Sequence, residues 1–436
     1  MLRQVLDLID IRKFDRNAKL FFAFGVPYFS GMGFFGLLYN LYLLRLGYRE
    51  DFMGLLAGMT PLAAGTCAFL IGILSDKFGR KPFLIAASLI MVLSQAGLCL
   101  TTERWLLLSF GFLAGLSTSM VYVNHVPYLA ENSHPRDRGK VISLAFSLQI
   151  VTNMLVSLLG GAMPGLMAKL MGVGPDHPSP LRYTLLIGTG VTALSIIPLF
   201  SIDENRKTNV SEPPPDQPAS YLPSGGITPW GLLIIFGAVS AFRGLSSGLS
   251  YPFFNVFFEE ERGASATTIG VIFFCARAVS IMGTVVSHRL SRRFGDVATI
   301  FPLRLSMAVS LGILGASVNL PLSLLLFSAY FAADSMATPT EMALATDAVS
   351  RSYWGRAQSL RVMGFQLLSG GGSILAGIMI LRVGYILTFG AAAFLVLGSA
   401  IILLTKFGWS YRDTEVGPFL KGRVREGETE KGRNGE

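Results

Sequence analysis

The sequence predicts an all-α integral membrane protein whose twelve transmembrane helices form two pseudo-symmetric six-helix bundles. Three observations predict it. Of the 436 residues, 51% are hydrophobic and only 14% charged, against roughly 25% charged in an ordinary soluble domain, so most of the surface is built to meet lipid. Apolar runs near the ~20 residues that a helix needs to cross a bilayer recur along the whole chain. The chain also matches itself at one fixed offset of 216 positions.

Residues 1–19 lack the long apolar core of a signal peptide. Leu2, Val5, Leu6 and Ile9 fall at helical spacing between charges, which fits an interfacial amphipathic helix or a charged tail equally well. Apolar runs follow at about 20–44, 52–74, 83–101, 105–129, 141–170 and 182–201, then at about 230–257, 265–288, 299–317, 321–345, 356–381 and 384–406. An open strand edge in lipid would leave backbone groups unpaired, so these runs are read as helices. Between the two sets, the polar stretch 202–228 holds Pro213, Pro214, Pro215, Pro218 and Pro223 and reads as a flexible linker. The expected division is an N-terminal half (1–201), a cytoplasmic linker (202–228), a C-terminal half (229–409) and a disordered Glu/Lys/Arg/Gly-rich tail (410–436).

Lysine and arginine set the expected orientation. With both termini on one side, that side holds 25 of them and the opposite loops hold seven. The positive-inside rule then makes both termini cytoplasmic, and the compact loops suit a plasma (inner) membrane. The net charge of +9 is on this reading a topology signal rather than a footprint for nucleic acid. Trp105, Trp230, Trp354 and Trp409 fall near run ends, where interfacial anchors sit. Cys67, Cys99 and Cys275 lie inside apolar runs with no CxxC spacing, so no disulfide, metal site or cofactor is expected.

One charged stretch, Gly72-Ile73-Leu74-Ser75-Asp76-Lys77-Phe78-Gly79-Arg80-Lys81-Pro82, separates the second and third runs. It reads as a short turn at a membrane surface. Its pattern Gly-x-Leu-x-Asp-(Lys/Arg)-x-Gly-Arg-(Lys/Arg) resembles the loop between helices two and three of the major facilitator superfamily. The resemblance implies that fold and a latch. Asp76 would meet the start of the eleventh helix near Gly355, and Arg80 would pair with Glu131 at the end of the fourth. Together with Lys77, Lys81 and Arg138 they would hold the cytoplasmic side shut in the outward-facing state, and Gly72 and Gly79 would allow close approach. The plain alternative is that these charges only set topology.

The self-match places Gly54 on Gly270, Gly161 on Gly377, and Leu74, Ser75, Phe78 and Gly79 on Leu290, Ser291, Phe294 and Gly295. Parallel six-helix repeats related by an axis along the membrane normal give such a pattern. The second copy of the turn exchanges its charges: Arg292 stands for Asp76 and Asp296 for Arg80. An equivalent latch is therefore not expected there.

Ionisable residues inside spans mark functional candidates. Arg243 and Arg277 lie about halfway along the seventh and eighth runs. Asp334, Thr338 and Glu341 share one face of the tenth. The repeat maps them to Thr118, Tyr122 and His125 on the fourth, and Asn40 adds a polar group on the first. Two readings stand. Arg243 and Asp334 form a buried pair that fixes packing, or Arg243 and Arg277 bind an anionic or strongly polar substrate while Asp334 or Glu341 carries a proton.

The expected function is therefore secondary transport of a small solute by alternating access in a lipid bilayer, with protons as a candidate coupling ion and a lean to an anionic or polar substrate. A monomer suffices to enclose a site. No GxxxxGK(S/T) loop supports direct use of ATP. A drug or multidrug efflux antiporter of the same superfamily is the alternative, although Gly160-Gly161-Ala162-Met163-Pro164-Gly165 only partly resembles the glycine–proline motif of that branch. A transporter-like sensor or an intramembrane enzyme ranks lower. Gly244-Leu245-Ser246-Ser247-Gly248 matches G-x-S-x-G literally but sits inside a span, not at a strand-to-helix elbow.

Overall fold

The structure, a computed structural model, describes residues 14–134, 137–174, 176–202, 228–349 and 353–408. The expected amphipathic stretch, nearly all of the linker and the tail lie outside the described residues. What is described is helical. In the first half α1 is Arg16–Arg45, α2 Glu50–Phe78, α3 Arg80–Leu100, α4 Arg104–Glu131, α5 Arg138–Met171 and α6 Pro178–Phe200. In the second, α7 is Pro229–Ser250, continued through a 3-10 turn at Tyr251–Phe253 into Phe254–Glu260. Pro252 explains that turn, because it lacks the N–H an unbroken helix needs. Next come α8 (Ala266–Phe294), α9 (Asp296–Ala316) and α10 (Leu320–Asp347).

The last helical stretch, Trp354–Phe407, has 54 residues. At 1.5 Å per residue it would be about 80 Å long, far beyond a hydrocarbon core of about 30 Å. It is in fact two spans. Gly384, at φ 79° and ψ 178°, breaks it in a region open in practice only to glycine. The added Cβ of Gly237, Gly244 and Gly248 would meet Leu360, Phe365 and Ser369 in turn, so residues 354–383 (α11) run parallel to α7. Phe236 packs on Phe407 while Ser246 bonds the Ala392 carbonyl, so residues 385–407 (α12) run antiparallel to it. The chain reverses at Gly384, and the twelve expected spans are present.

The helices outrun the apolar runs. The stretch Gly72–Pro82, expected as a turn, is helical except at Gly79; Asp76 lies in the last turn of α2 and Arg80 opens α3. Charged ends need not stay in lipid, so helix continues past the hydrophobic boundary. Gly79 has φ 94° and ψ 160°, and Gly295, its partner at the 216 offset, has φ 91° and ψ 163°. The repeat is thus present in backbone conformation. Several starts carry local signals: Thr228 and Asn319 cap α7 and α10 through side-chain oxygens, each next to or near a proline.

We call the end where α1 starts and α12 finishes basal, and the other distal. The largest hydrophobic cluster is distal and joins both halves, from Leu37, Leu38 and Phe52 to Phe254, Phe257 and Phe389. The basal clusters stay within single halves: one around Phe21, Phe24 and Leu129, the others around Phe236, Leu344, Leu232 and Ala357. The molecule is therefore in a state closed at its distal end.

Candidate functional site

At the basal end, Arg80 organises the first half. Its Nε donates to both Glu131 oxygens at 3.0 and 2.9 Å, and its Nη2 donates to Glu131 at 2.7 Å. Nη2 also reaches Asp76 at 3.1 Å, and Nη1 reaches Asn124 at 3.2 Å. Lys81 ties α3 to the end of α6 through the carbonyls of Phe200 and Ile202, at 3.3 and 2.7 Å. Lys77 lies over the Phe78 ring, and the Arg138 side chain is exposed. Asp76 is 69% exposed, and among the described residues its carboxylate meets Arg80 alone, not α11. Gly72 corrects an expectation. A Cβ there would meet only Val123, at an ordinary 3.8 Å, so no close approach requires glycine at that position. Gly79 is required, by its backbone angles. In the second copy, Ser291 donates to Asp296, and among the described residues Arg292 does not join that contact.

The halves meet distally through the repeat itself. A Cβ on Gly54 (α2) would lie 2.9 Å from the Gly377 Cα (α11), and one on Gly161 (α5) 2.7 Å from the Gly270 Cα (α8). Gly54 and Gly161, which match Gly270 and Gly377 at the 216 offset, cross-pair with those same two glycines. Small residues let backbones touch where lipid offers no hydrophobic drive for association. Two asparagines add reciprocal bonds between α1 and α7: Asn40 donates to the Pro252 carbonyl at 2.5 Å and Asn255 to that of Leu37 at 2.8 Å. Arg45 pairs with Asp176 at 3.2 Å and with Glu259 across the interface. Asn40, expected in a substrate site, is thus first an inter-half tie, although it also faces the cavity below.

That cavity, of about 520 Å³, lies between the halves from the level of Phe29 up to Asn40. Both halves line it: Thr118 and Tyr122 from α4, Gln149 and Asn153 from α5, Ser247 and Tyr251 from α7, Arg277 from α8, and Ser369 and Ser373 from α11. Apolar walls come from Met32, Phe35, Met91, Leu98 and Phe273. None of the described residues lining it is an aspartate or glutamate. Arg277 makes no ion pair among the described residues, and its buried Nε has no hydrogen-bond partner.

The other candidates sit elsewhere. Arg243 is not on the cavity wall but in a buried network below it. Its Nη2 donates to Asp334 at 2.9 Å and Thr338 at 2.8 Å, and its Nη1 reaches Glu341 at 3.5 Å. Glu341, 0% exposed, also accepts from Arg304 at 2.5 Å and Arg361 at 3.3 Å. One carboxylate therefore stitches α7, α9, α10 and α11. Asp334 differs, with 42% of its side chain exposed. So the expected pairing of Arg243 with Arg277 at one substrate is corrected: Arg277 faces the cavity and Arg243 the network. His125 is corrected too. It shares a stripe with Thr118 and Tyr122 but lies outside the large cavity, buried among Phe21, Phe29 and Phe146, with neither ring nitrogen hydrogen-bonded.

Arg304 and Arg361 were missed from the sequence. The signal was available. Outside the apolar runs or at their ends lie thirty-two of the thirty-six lysines and arginines, which leaves four within them: Arg243, Arg277, Arg304 and Arg361. The G-x-S-x-G match is a packing feature: Gly244 and Gly248 sit against the backbone of Phe365 and Ser373 on α11.

The sequence matches the profile described as Major Facilitator Superfamily over residues 20–331 and 236–425. It is 26% identical over 171 residues to a multi-drug resistance efflux pump PmrA homolog of Lactococcus lactis, a match that covers 38% of this chain and 39% of that protein. The matched stretch thus spans about two fifths of that relative's length. The fold is similar to that of a D-xylose-proton symporter, with TM-score 0.70, 15% identity and coverage of 90% and 97% of the two chains. It is also similar to the human organic anion transporter MFSD10, with TM-score 0.59, 18% identity and coverage of 89% and 99%. Twelve apolar helices in two repeats, a cavity between them and this profile along nearly the whole chain have one meaning: the protein is a multi-span membrane transporter, not an enzyme, and belongs to the Major Facilitator Superfamily.

Proposed function

We propose that the protein carries a small anionic or strongly polar solute by alternating access, as a secondary transporter. The observation that carries this is the Arg277 guanidinium, with no ion pair among the described residues, in an inter-half cavity none of whose described lining residues is a carboxylate. Solved relatives of this fold include a proton–sugar symporter and an organic anion transporter, so the fold leaves the substrate to the site. The 25 to seven split of Lys and Arg supports a cytoplasmic basal side, which makes this state inward-facing. In the opposite state Asp76 would swing onto the start of α11, while Arg80 and Glu131 keep α2, α3 and α4 together.

Protons are the proposed coupling ion, and Asp334 the group that takes them. Its carboxylate is half exposed and holds one guanidinium, whereas Glu341 is shut in by three. The efflux reading is kept alive by the Lactococcus relative and by the apolar share of the cavity wall. Purified protein in liposomes, loaded with a panel of anions, sugars and cationic drugs and followed by internal pH, decides between them. Anion-dependent pH change lost in Asp334→Asn supports the proposal. Flux of cationic drugs with none of anions would replace it by efflux.

A further inference from the structure

Tyr122 and Arg277 come from different halves, α4 and α8, and both face the cavity. Tyr122 lies within electrostatic reach of Arg277 and of Tyr251. Its hydroxyl oxygen accepts from the Gln149 amide at 2.7 Å. A phenol that accepts still has its own hydrogen to donate. Arg277 has donors with no partner among the described residues. Two donor groups from different halves, one of them charged, thus face the same space, and none of the described residues lining it is a carboxylate that would neutralise the guanidinium.

Resting on the transport reading above, we propose that Arg277 and the Tyr122 hydroxyl form one anion seat shared by the two halves, and that the substrate is a monovalent organic anion with an apolar body. One guanidinium and no lining carboxylate match one negative charge. A second charge on the solute would find no second cation among the described lining residues, which is costly once the halves close and exclude water. The size of the cavity suits a molecule larger than a simple inorganic ion. Met91, Leu98 and Phe273 give its body an apolar wall. Because the seat has one donor on each half, the anion binds best when the halves are close, and its binding energy then favours the rocking motion. Tyr122 is on this account a positioning residue that links binding to closure, while Arg277 supplies affinity.

The test uses benzenesulfonate, which stays ionised and does not leak across lipid. Its neutral analogue benzenesulfonamide and the dianion benzene-1,3-disulfonate are the comparisons. Binding is measured by calorimetry on the purified full chain, and exchange by counterflow in liposomes. The monoanion is expected to bind about ten- to a hundredfold more tightly than the sulfonamide, the range a charge-assisted hydrogen bond supplies, and more tightly than the dianion. Arg277→Gln is expected to erase the preference over the sulfonamide, and Arg277→Lys to restore part of it. Tyr122→Phe is expected to weaken equilibrium binding by no more than about fivefold, what a hydrogen bond of roughly 1 kcal/mol corresponds to, but to slow counterflow by well over tenfold. Equal binding of anion and sulfonamide, or an unchanged preference in Arg277→Gln, overturns the anion seat and leaves the transport reading standing. Equal loss of binding and exchange in Tyr122→Phe overturns the coupling role. No exchange of any anion, sugar or cationic drug by folded wild-type protein would instead sink the transport reading on which the seat rests.

Discussion

Glu341→Gln is expected to destabilise the protein strongly, and Asp334→Asn is not, although both change the formal charge of the same network by one unit. Three guanidiniums and two carboxylates leave the network at +1, and either substitution takes it to +2. The difference is burial. Glu341 is 0% exposed and accepts from Arg243, Arg304 and Arg361. Removing one partner of a buried ion pair costs about 3–5 kcal/mol, because the other charge stays behind without compensation. Here the residual charge is spread over three arginines, two of which have nitrogens without partners already. Asp334 has 42% of its side chain exposed, and among the described residues its ion pair is with Arg243. Solvent at that half-exposed carboxylate weakens the pair, and Arg243 keeps Thr338 and Glu341 as acceptors when Asp334 is gone. The assay is thermal denaturation in detergent, read by a thiol-reactive fluorophore at Cys99, which is 1% exposed, in a background with Cys67 and Cys275 replaced by serine. The expected result is a clearly lower midpoint for Glu341→Gln and a near-wild-type midpoint for Asp334→Asn. If the two variants melted together, the claim that Glu341 anchors four helices would be wrong.

Three further outcomes follow from the same geometry. Gly161→Val is expected to pry the distal end apart, since even a Cβ there meets the Gly270 Cα at 2.7 Å; spin-label distances between the distal ends of α5 and α8 should lengthen, and unchanged distances would remove the glycine pair as the closure contact. Arg80→Ala is expected to cost little stability, because Glu131 and Asp76 are exposed and exposed pairs contribute about 1 kcal/mol or less, yet to slow transport; a variant with wild-type flux would make the basal charges topology determinants alone. His125→Phe is expected to leave transport intact, as the imidazole makes no hydrogen bond and stacks on Phe21, Phe29 and Phe146; loss of flux with a normal melting midpoint would put His125 back in the site.

How much of this was legible beforehand depends on the kind of signal. Span number and order were legible, because the bilayer demands a minimum apolar length and the chain meets it repeatedly. The last pair was separable only because its joint length is impossible for one span. The inter-half contact was legible in outline: a repeat that preserves Gly54, Gly161, Gly270 and Gly377 among variable apolar residues preserves them for a reason. The pairing of residue types at Arg80 and Glu131 came from resemblance and not from the residues themselves. The cavity residues were not separable from the network residues. Arg243 and Arg277 look alike in sequence, both lone charges in the middle of an apolar run. Only the rotation of α7 and α8 about their axes, set by packing against α11 and α10, sends one inward to carboxylates and the other to the cavity.

That difference extends to the two halves as a whole. At the 216 offset, Arg243, Arg304, Glu341 and Arg361 stand where the first half has Pro27, Ser88, His125 and Ala145. The backbone scaffold repeats down to the dihedrals of Gly79 and Gly295, but the chemistry inside it does not. Where Arg361 reaches the Glu341 carboxylate in the second half, Ala145 in the first lies beside His125 in a small aromatic pocket with Phe21 and Phe29. A buried charged cluster costs desolvation that a hydrophobic core avoids. The first half shows that this architecture holds at the same four positions without such a cluster. The network in the second half is then not needed to make a six-helix bundle. On the proton coupling proposed above, its half-exposed end at Asp334 is the part used in transport, and its closed end at Glu341 keeps the remaining arginines in place.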